Sequence, residues 1–173
     1  MQITDLETLD YPPLTNDLEE AKSHLDKYGM ALIKDVLSQE EVEEMDQRLN
    51  EQFMGEEKYQ VGSKIRGDEG FGIESSEEEK VSRLVWNLIN KGDCFLKLID
   101  HPKILPLIQH MIGERVCLCS MGAHMNGSGN ERMALHQDQW PLVPHPMKFP
   151  FMANVMYLIS VSYTHLRAHE TRE

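Results

Sequence analysis

Long apolar runs are missing from this sequence of 173 residues. No stretch of about 18 consecutive apolar residues occurs, which excludes a membrane-spanning helix. The opening Met1-Gln-Ile-Thr-Asp-Leu-Glu7 has neither the basic start nor the apolar stretch of a secretory leader, so secretion is not expected. Positive charge is scarce as well. Seventeen Lys and Arg face 29 Asp and Glu, for a net charge of −12. An acidic surface repels nucleic-acid phosphates and anionic lipid, and neither is expected as a partner, although a local basic pocket stays open. Cysteine is sparse, with three residues, an odd number, and no paired Cys-x-x-Cys motifs. That excludes a disulfide framework and fits a reducing cytoplasm. Internal repeats and domain linkers are absent too. What remains, 40% hydrophobic and 27% charged residues, suffices for one domain with a real core.

Helices are expected first along the chain, and strands later. Asn16 is placed to cap a helix over residues 17–28, whose Leu18, Ala21, Leu25 and Tyr28 recur at helical spacing. Met30 to Lys34 reads as a short strand. Ser38-Gln-Glu-Glu41 is a capping box, and Val42, Met45, Leu49 and Phe53 form the apolar stripe of the helix it opens. Gly62, Gly67, Gly70 and Gly72 then mark a loop. A second capping box, Ser76-Glu-Glu-Glu79, predicts a helix with Val81, Leu84, Val85, Leu88 and Ile89 on one face, stopped by Gly92. Asp93 is read as the cap of a short helix ended at His101-Pro102, and Ile104 to Ile112 as another helix, closed by Gly113. From there the period changes to two, predicting strands over Arg115 to Met121, Met133 to Asp138 and Met152 to Ile159, with a turn at Asn126-Gly-Ser-Gly-Asn130.

The feature that carries chemistry is His136-x-Asp138, within Met133-Ala-Leu-His-Gln-Asp-Gln-Trp140. Residues two apart on a strand point to the same face, so an imidazole and a carboxylate can meet one metal ion. Non-haem iron(II) oxygenases use two His and one carboxylate on one side of the metal, which leaves the other positions open. Taken alone the pair is a weak signal, since a strand end with a solvated Asp and a hydrogen-bonded His has the same spacing. Cys117 and Cys119 share a strand face and invite comparison with a zinc site completed by His124 and His136. Thiols packed in the core explain them more simply. His110 and His145 have no partner at ligand spacing and read as surface residues. Trp86 and Trp140 read as core or pocket wall, and the methionines from Met121 to Met156 as core filler or an adaptable apolar lining.

The order of these segments resembles the phytanoyl-CoA dioxygenase family. Leu25-Asp-Lys-Tyr-Gly-Met-Ala-Leu-Ile-Lys-Asp-Val-Leu-Ser-Gln-Glu-Glu-Val42 is similar to the family's opening helix, strand and second helix. His101-Pro-Lys-Ile-Leu105 and Ile112-Gly113 resemble its lead into the barrel, His136-Gln-Asp-Gln-Trp140 its iron-binding segment, and Ala153-Asn-Val-Met-Tyr-Leu-Ile159 the following barrel strand. The resemblance covers about residues 16–159. It implies an α+β fold in which N-terminal helices pack on a double-stranded β-helix, or jelly roll. It further implies iron(II) as cofactor, 2-oxoglutarate as co-substrate and a small organic molecule as the substrate hydroxylated. His136 and Asp138 would be metal ligands. Asn154 falls in the region that contacts 2-oxoglutarate, where an amide can donate to a carboxylate oxygen, and Lys64 and Arg66 are candidate anion contacts near the pocket mouth.

The family pattern next requires a distal His as third ligand and an Arg for the far carboxylate of 2-oxoglutarate. This chain departs from that pattern after Ile159. Ser160-Val-Ser-Tyr-Thr-His-Leu-Arg-Ala-His-Glu-Thr-Arg-Glu173 resembles a translated sequencing-adapter read-through. Residues 160–173 are therefore expected to be a non-native tail behind a partial domain over 1–159. His165-x-x-x-His169 has the spacing of a helical metal pair but falls inside that tail. On this reading the chain is expected to be inactive by itself, with a jelly-roll binding protein that lacks a complete iron site as the alternative.

Overall fold

The computed structural model describes residues 10–61, 63–65, 82–125, 138 and 149–160. Among these, a strand β1, Leu14–Thr15, leads into helix α1, Leu18–Tyr28, and returns to strand β2, Leu32–Ile33. β1 and β2 pair in parallel, Leu14 opposite Leu32 and Thr15 opposite Ile33. The β2 strand lies inside the predicted Met30 to Lys34 segment, whereas β1 was not foreseen, because two residues beside Pro12 and Pro13 carry no periodicity. The cap of α1 is Asp17 rather than Asn16: its carboxylate accepts from the Glu20 backbone N–H at 2.8 Å. Both residue types cap well, and the one that stands three residues before a free N–H does so here. Gly29 closes the helix at φ 71°, its N–H donating to the Leu25 carbonyl at 2.9 Å.

Helix α2, Gln39–Lys58, begins with the predicted capping box. Ser38 Oγ accepts from the Glu41 N–H at 3.2 Å, and the Glu41 carboxylate accepts from the Ser38 N–H at 2.8 Å. The bond to the Ser38 backbone holds the Glu41 carboxyl below its usual range. Met45 and Phe53 from the expected stripe are buried. Arg48, on the same helix, donates from Nε to the Lys91 carbonyl at 2.6 Å and thereby ties α2 to the turn after the next strand pair.

Within the helix predicted over the Val81 to Ile89 face, Ser82–Trp86 is instead a strand. β3, Ser63–Ile65, and β4, Ser82–Trp86, pair antiparallel, and β5, Gly122–Met125, joins the far edge of β4. The physical reason is visible in β4: the neighbours Leu84 and Val85 are both buried, at 3% and 0% exposure. A strand covered on both faces presents a continuous apolar run, which periodicity cannot separate from a buried helix. Ser76 and its capping box lie outside the described residues, as do all four glycines of the expected loop. A 3₁₀ turn, Leu88–Asn90, follows β4, and then come α3, Asp93–Leu96, and α4, Leu105–Ile112. Asp93 is the first residue of α3 and not its cap, since Gly92 occupies that position. Gly113 ends α4 as expected, at φ 97°.

One cluster holds the fold together: Met45, Phe53, Val85, Leu88, Cys94, Phe95 and Leu98, with Leu37, Leu49, Met121, Ala123, Tyr157 and Ile159 packed against it. It joins α2, β4 and α3. α4 packs on α1, where His110 and Asp26 meet at 2.8 Å. The predicted strand over Arg115 to Met121 is irregular among the described residues, and the regular pairing begins at Gly122. Cys117 and Cys119 are accordingly exposed rather than in the core, while Cys94 is buried. No described helix is long and apolar enough to cross a membrane.

Tyr157 pins the segment 149–160 to this core. Its hydroxyl donates to the Leu98 carbonyl at 3.0 Å, and burial pushes its pKa up to about 12. Replacing Tyr157 with Phe is expected to cost about 1–2 kcal/mol, because a partly buried carbonyl loses its donor. The raised pKa also fixes a sign. Between pH about 10, where an unfolded Tyr ionises, and about 12, the unfolded state sheds the proton first. Stability contributed by Tyr157 is therefore full below pH 10 and declines as pH rises through this window. Urea titrations at pH 9 and 11 should show a fall in the wild-type protein that the Phe variant shows less of; equal falls would exclude Tyr157 as the source.

Candidate metal centre

Asp138 sits in a turn, exposed, and its carboxylate accepts a hydrogen bond from the side-chain amide of Asn154. The two residues are 16 apart in the chain, so the contact comes from the tertiary fold and not from local geometry. Asn154 is itself exposed, on a segment anchored through Tyr157 and Ile159. Exposure alternates toward the end of that segment. Met156 and Leu158 are 83% and 76% exposed, while the intervening Tyr157 and the following Ile159 turn toward the core. This is the period-two pattern predicted for Met152 to Ile159, although the described residues there make no regular strand pairing.

The other predicted site residues are distributed as follows. His136, the partner of Asp138 in the motif, lies outside the described residues, and so does Arg66. Lys64 is in β3, its backbone opposite Arg83 of β4, with its side chain outside the description. The structure thus brings together Asp138 and Asn154, two residues expected to serve the metal and the co-substrate separately. Among the described residues no three His, Cys, Asp or Glu side chains cluster in a way that would hold a metal. His124, in β5, has its pKa lowered by burial, which keeps the imidazole neutral near pH 7.

A concavity away from these residues was not foreseen. It holds about 230 Å³ and is lined by Glu56, Val61, Trp86, Asn87, Asn90 and Lys91. Lys91 pairs with Glu56 at 3.4 Å, and Trp86, expected in core or pocket wall, is 51% exposed along its side. None of the predicted metal or co-substrate residues lines it. Asn87 adopts φ 55°, a left-handed conformation that Asn tolerates better than most residues. An Asn directly after an apolar strand was the available sequence signal for that bend.

Residues 25–161 match the model of the phytanoyl-CoA dioxygenase family, a span that includes the His136-x-Asp138 motif and Asn154. The chain belongs to the phytanoyl-CoA dioxygenase family. A relative is the protein named Dioxygenase af480 from Aspergillus fumigatus, 26% identical over 147 residues. The matched region is 85% of this chain and 45% of that protein, so the chain spans less than half of the relative's length. No solved structure matches the chain. For a phytanoyl-CoA dioxygenase family member, the described mixture of helices and small sheets is consistent with an α+β fold, and the jelly roll itself belongs to the reading that follows.

Proposed function

We propose that the chain is the ligand-bearing part of a non-haem iron(II)- and 2-oxoglutarate-dependent dioxygenase of jelly-roll fold that hydroxylates a small organic substrate. The observation that supports this most directly is that the family match spans His136-x-Asp138, with the carboxylate of that motif engaged by a polar side chain from a distant segment. The donor set fits the metal. An imidazole and a carboxylate two residues apart are two of the three protein ligands such an iron takes, and the carboxylate is at the surface rather than consumed in the core. The third ligand is placed, in this proposal, in the part of the protein that the chain does not cover. When bound, iron and 2-oxoglutarate supply the oxidising chemistry: a substrate C–H bond, O₂ and 2-oxoglutarate are converted to C–OH, succinate and CO₂.

The residues of this chain have the tasks of binding and orientation. His136 and Asp138 hold the metal. Lys64 and Arg66 supply local positive charge for the far carboxylate of the co-substrate. That task has a specific electrostatic reason here, because a protein of net charge −12 repels a dianion unless cations stand at the site. Met156 and Leu158, both exposed on the segment that carries Asn154, offer apolar surface for a hydrocarbon portion of the substrate.

The test is succinate formation by the full-length protein supplied with iron(II), O₂ and 2-oxoglutarate. Slow turnover is expected even without the organic substrate. A chelator should stop it and added iron should restore it. Absence of succinate under saturating iron, with the metal shown to be bound, would sink the proposal in favour of a jelly-roll binding protein.

A further inference from the structure

We propose that the concavity beside Trp86 binds a neutral polyhydroxylated ring, the chemistry of one sugar unit. None of the residues assigned to iron or 2-oxoglutarate lines it, so the site stands apart from the metal reading. Its floor is a closed ring of polar contacts. Arg48, Gln52 and Glu56 stand at steps of four residues along one face of α2. Arg48 Nη2 donates to Gln52 Oε1 at 2.6 Å, Gln52 Nε2 donates to Glu56 Oε1 at 2.8 Å, and Lys91 Nζ meets that same oxygen at 3.4 Å. The bond from Arg48 Nε to the Lys91 carbonyl, 2.6 Å, completes the circuit. Gly92 permits this approach, since a Cβ there would meet Arg48 Cγ at 3.2 Å. An ammonium and a carboxylate are thus held in place before any ligand arrives, which spares the ligand the entropy of ordering them. The contacts to Glu56 fall on Oε1, and Oε2 keeps its acceptor directions.

The wall is an indole. Trp86 ends β4 opposite Gly122 of β5, and a Cβ at Gly122 would stand 3.7 Å from Trp86 Cε3. The glycine therefore seats one part of the ring closely while about half of the residue stays exposed. Asn87 and Asn90 add two amides from the turn after β4, whose form is fixed by the Asn90 N–H donating to the Asn87 carbonyl at 3.0 Å. These groups select a chemistry. Glu56 and Lys91 cancel in charge and the other lining residues are neutral, so a ligand with net charge gains nothing here. Ammonium, carboxylate and amides set donors beside acceptors, which is what neighbouring ring hydroxyls require. The C–H face of a pyranose is a flat apolar surface that an indole covers. The volume of about 230 Å³ lies below the roughly 300–1,000 Å³ of pockets for drug-sized ligands and limits the occupant to a single ring.

The experiment is saturation-transfer NMR on the full-length protein with the methyl β-pyranosides of glucose, galactose and mannose, for wild type, Trp86→Leu and Asn90→Ala, each checked for folding by circular dichroism. At least one pyranoside is expected to bind the wild type, with saturation strongest on the C–H protons of one face. Trp86→Leu keeps apolar bulk but loses the flat ring, and should weaken binding roughly tenfold. Asn90→Ala, at an exposed turn position, should weaken it roughly 2–10-fold and carries the test if the Trp86 variant does not fold. Succinate formation should be unchanged in both variants, and its loss would overturn a separate site. No binding of any of the three pyranosides by the wild type, or equal binding by wild type and the folded variants, would overturn the proposal. Adenosine binding in place of the pyranosides, weakened by the same substitutions, would overturn it in favour of a base-stacking site.

Discussion

Replacing Asp138 with alanine is expected to reduce iron-dependent 2-oxoglutarate turnover to background while leaving the fold intact. Two costs of this substitution differ in size. Asp138 is exposed and belongs to no part of the hydrophobic cluster, so its truncation should change stability by no more than about 0.5 kcal/mol. Its chemical loss is much larger. Three protein ligands hold a metal of this type, and two His alone supply no anionic partner to the divalent ion. The drop in metal affinity should therefore take binding close to background. His136→Ala should fall beside Asp138→Ala. Circular dichroism and melting provide the control for folding, and succinate release provides the readout. Turnover retained in Asp138→Ala, at any iron concentration, would remove Asp138 from the ligand set.

How far the fold was legible depended on whether local chemistry decided it. The capping box at Ser38 and the stop at Gly113 are local devices, and both were readable because a few neighbouring residues carry the whole energy of the motif. β4 was not readable. Leu84 and Val85 are buried side by side because layers cover both faces of that strand, and no single periodicity encodes a layer above and a layer below. The two-residue strand β1 depends on its parallel partner β2 from beyond α1, a contact between segments that share no local signal. Cys117 and Cys119 show the reverse error. Residue type suggested burial, and the irregular path of the backbone there leaves both exposed.

The site divides in the same manner. His136-x-Asp138 was legible as spacing, and the order of the flanking segments supplied the family, with residues 25–161 matching it. The bond from Asn154 to Asp138 was not legible, because it joins two short polar side chains 16 residues apart with no local signal between them. Sequence indicated that an amide at 154 has a carboxylate to serve, but it offered no means of telling a co-substrate carboxylate from one belonging to the chain. The concavity beside Trp86 was equally hidden, since its walls come from the end of α2 and the turn after β4.

The largest loss of stability is expected from Phe95→Ala. Phe95 is 1% exposed, on the four-residue helix α3, at a point where α2, β4 and the 3₁₀ turn converge. A helix of four residues cannot sustain itself by backbone hydrogen bonding, so the side chain holds α3 in place rather than the reverse. Truncation removes the ring's transfer free energy and leaves a cavity among Met45, Phe53, Val85, Leu88 and Leu98, for about 3–5 kcal/mol in all. That is a fifth or more of the roughly 5–15 kcal/mol by which domains of this size are stable. Leu96, the next residue on α3 but 42% exposed, serves as the control, and its Ala variant should cost under about 1 kcal/mol. The damage should also reach the site. Tyr157 and Ile159 rest on the same cluster, and Tyr157 bonds to the carbonyl of Leu98, three residues beyond Phe95. A loosened cluster frees the segment that carries Asn154, so succinate formation by the full-length protein should fall in Phe95→Ala under conditions where the protein is still folded, and stay unchanged in Leu96→Ala. Urea unfolding and succinate formation in the two variants check both halves, and a Phe95 variant within about 1 kcal/mol of wild type would mean that this ring is not the keystone of the core.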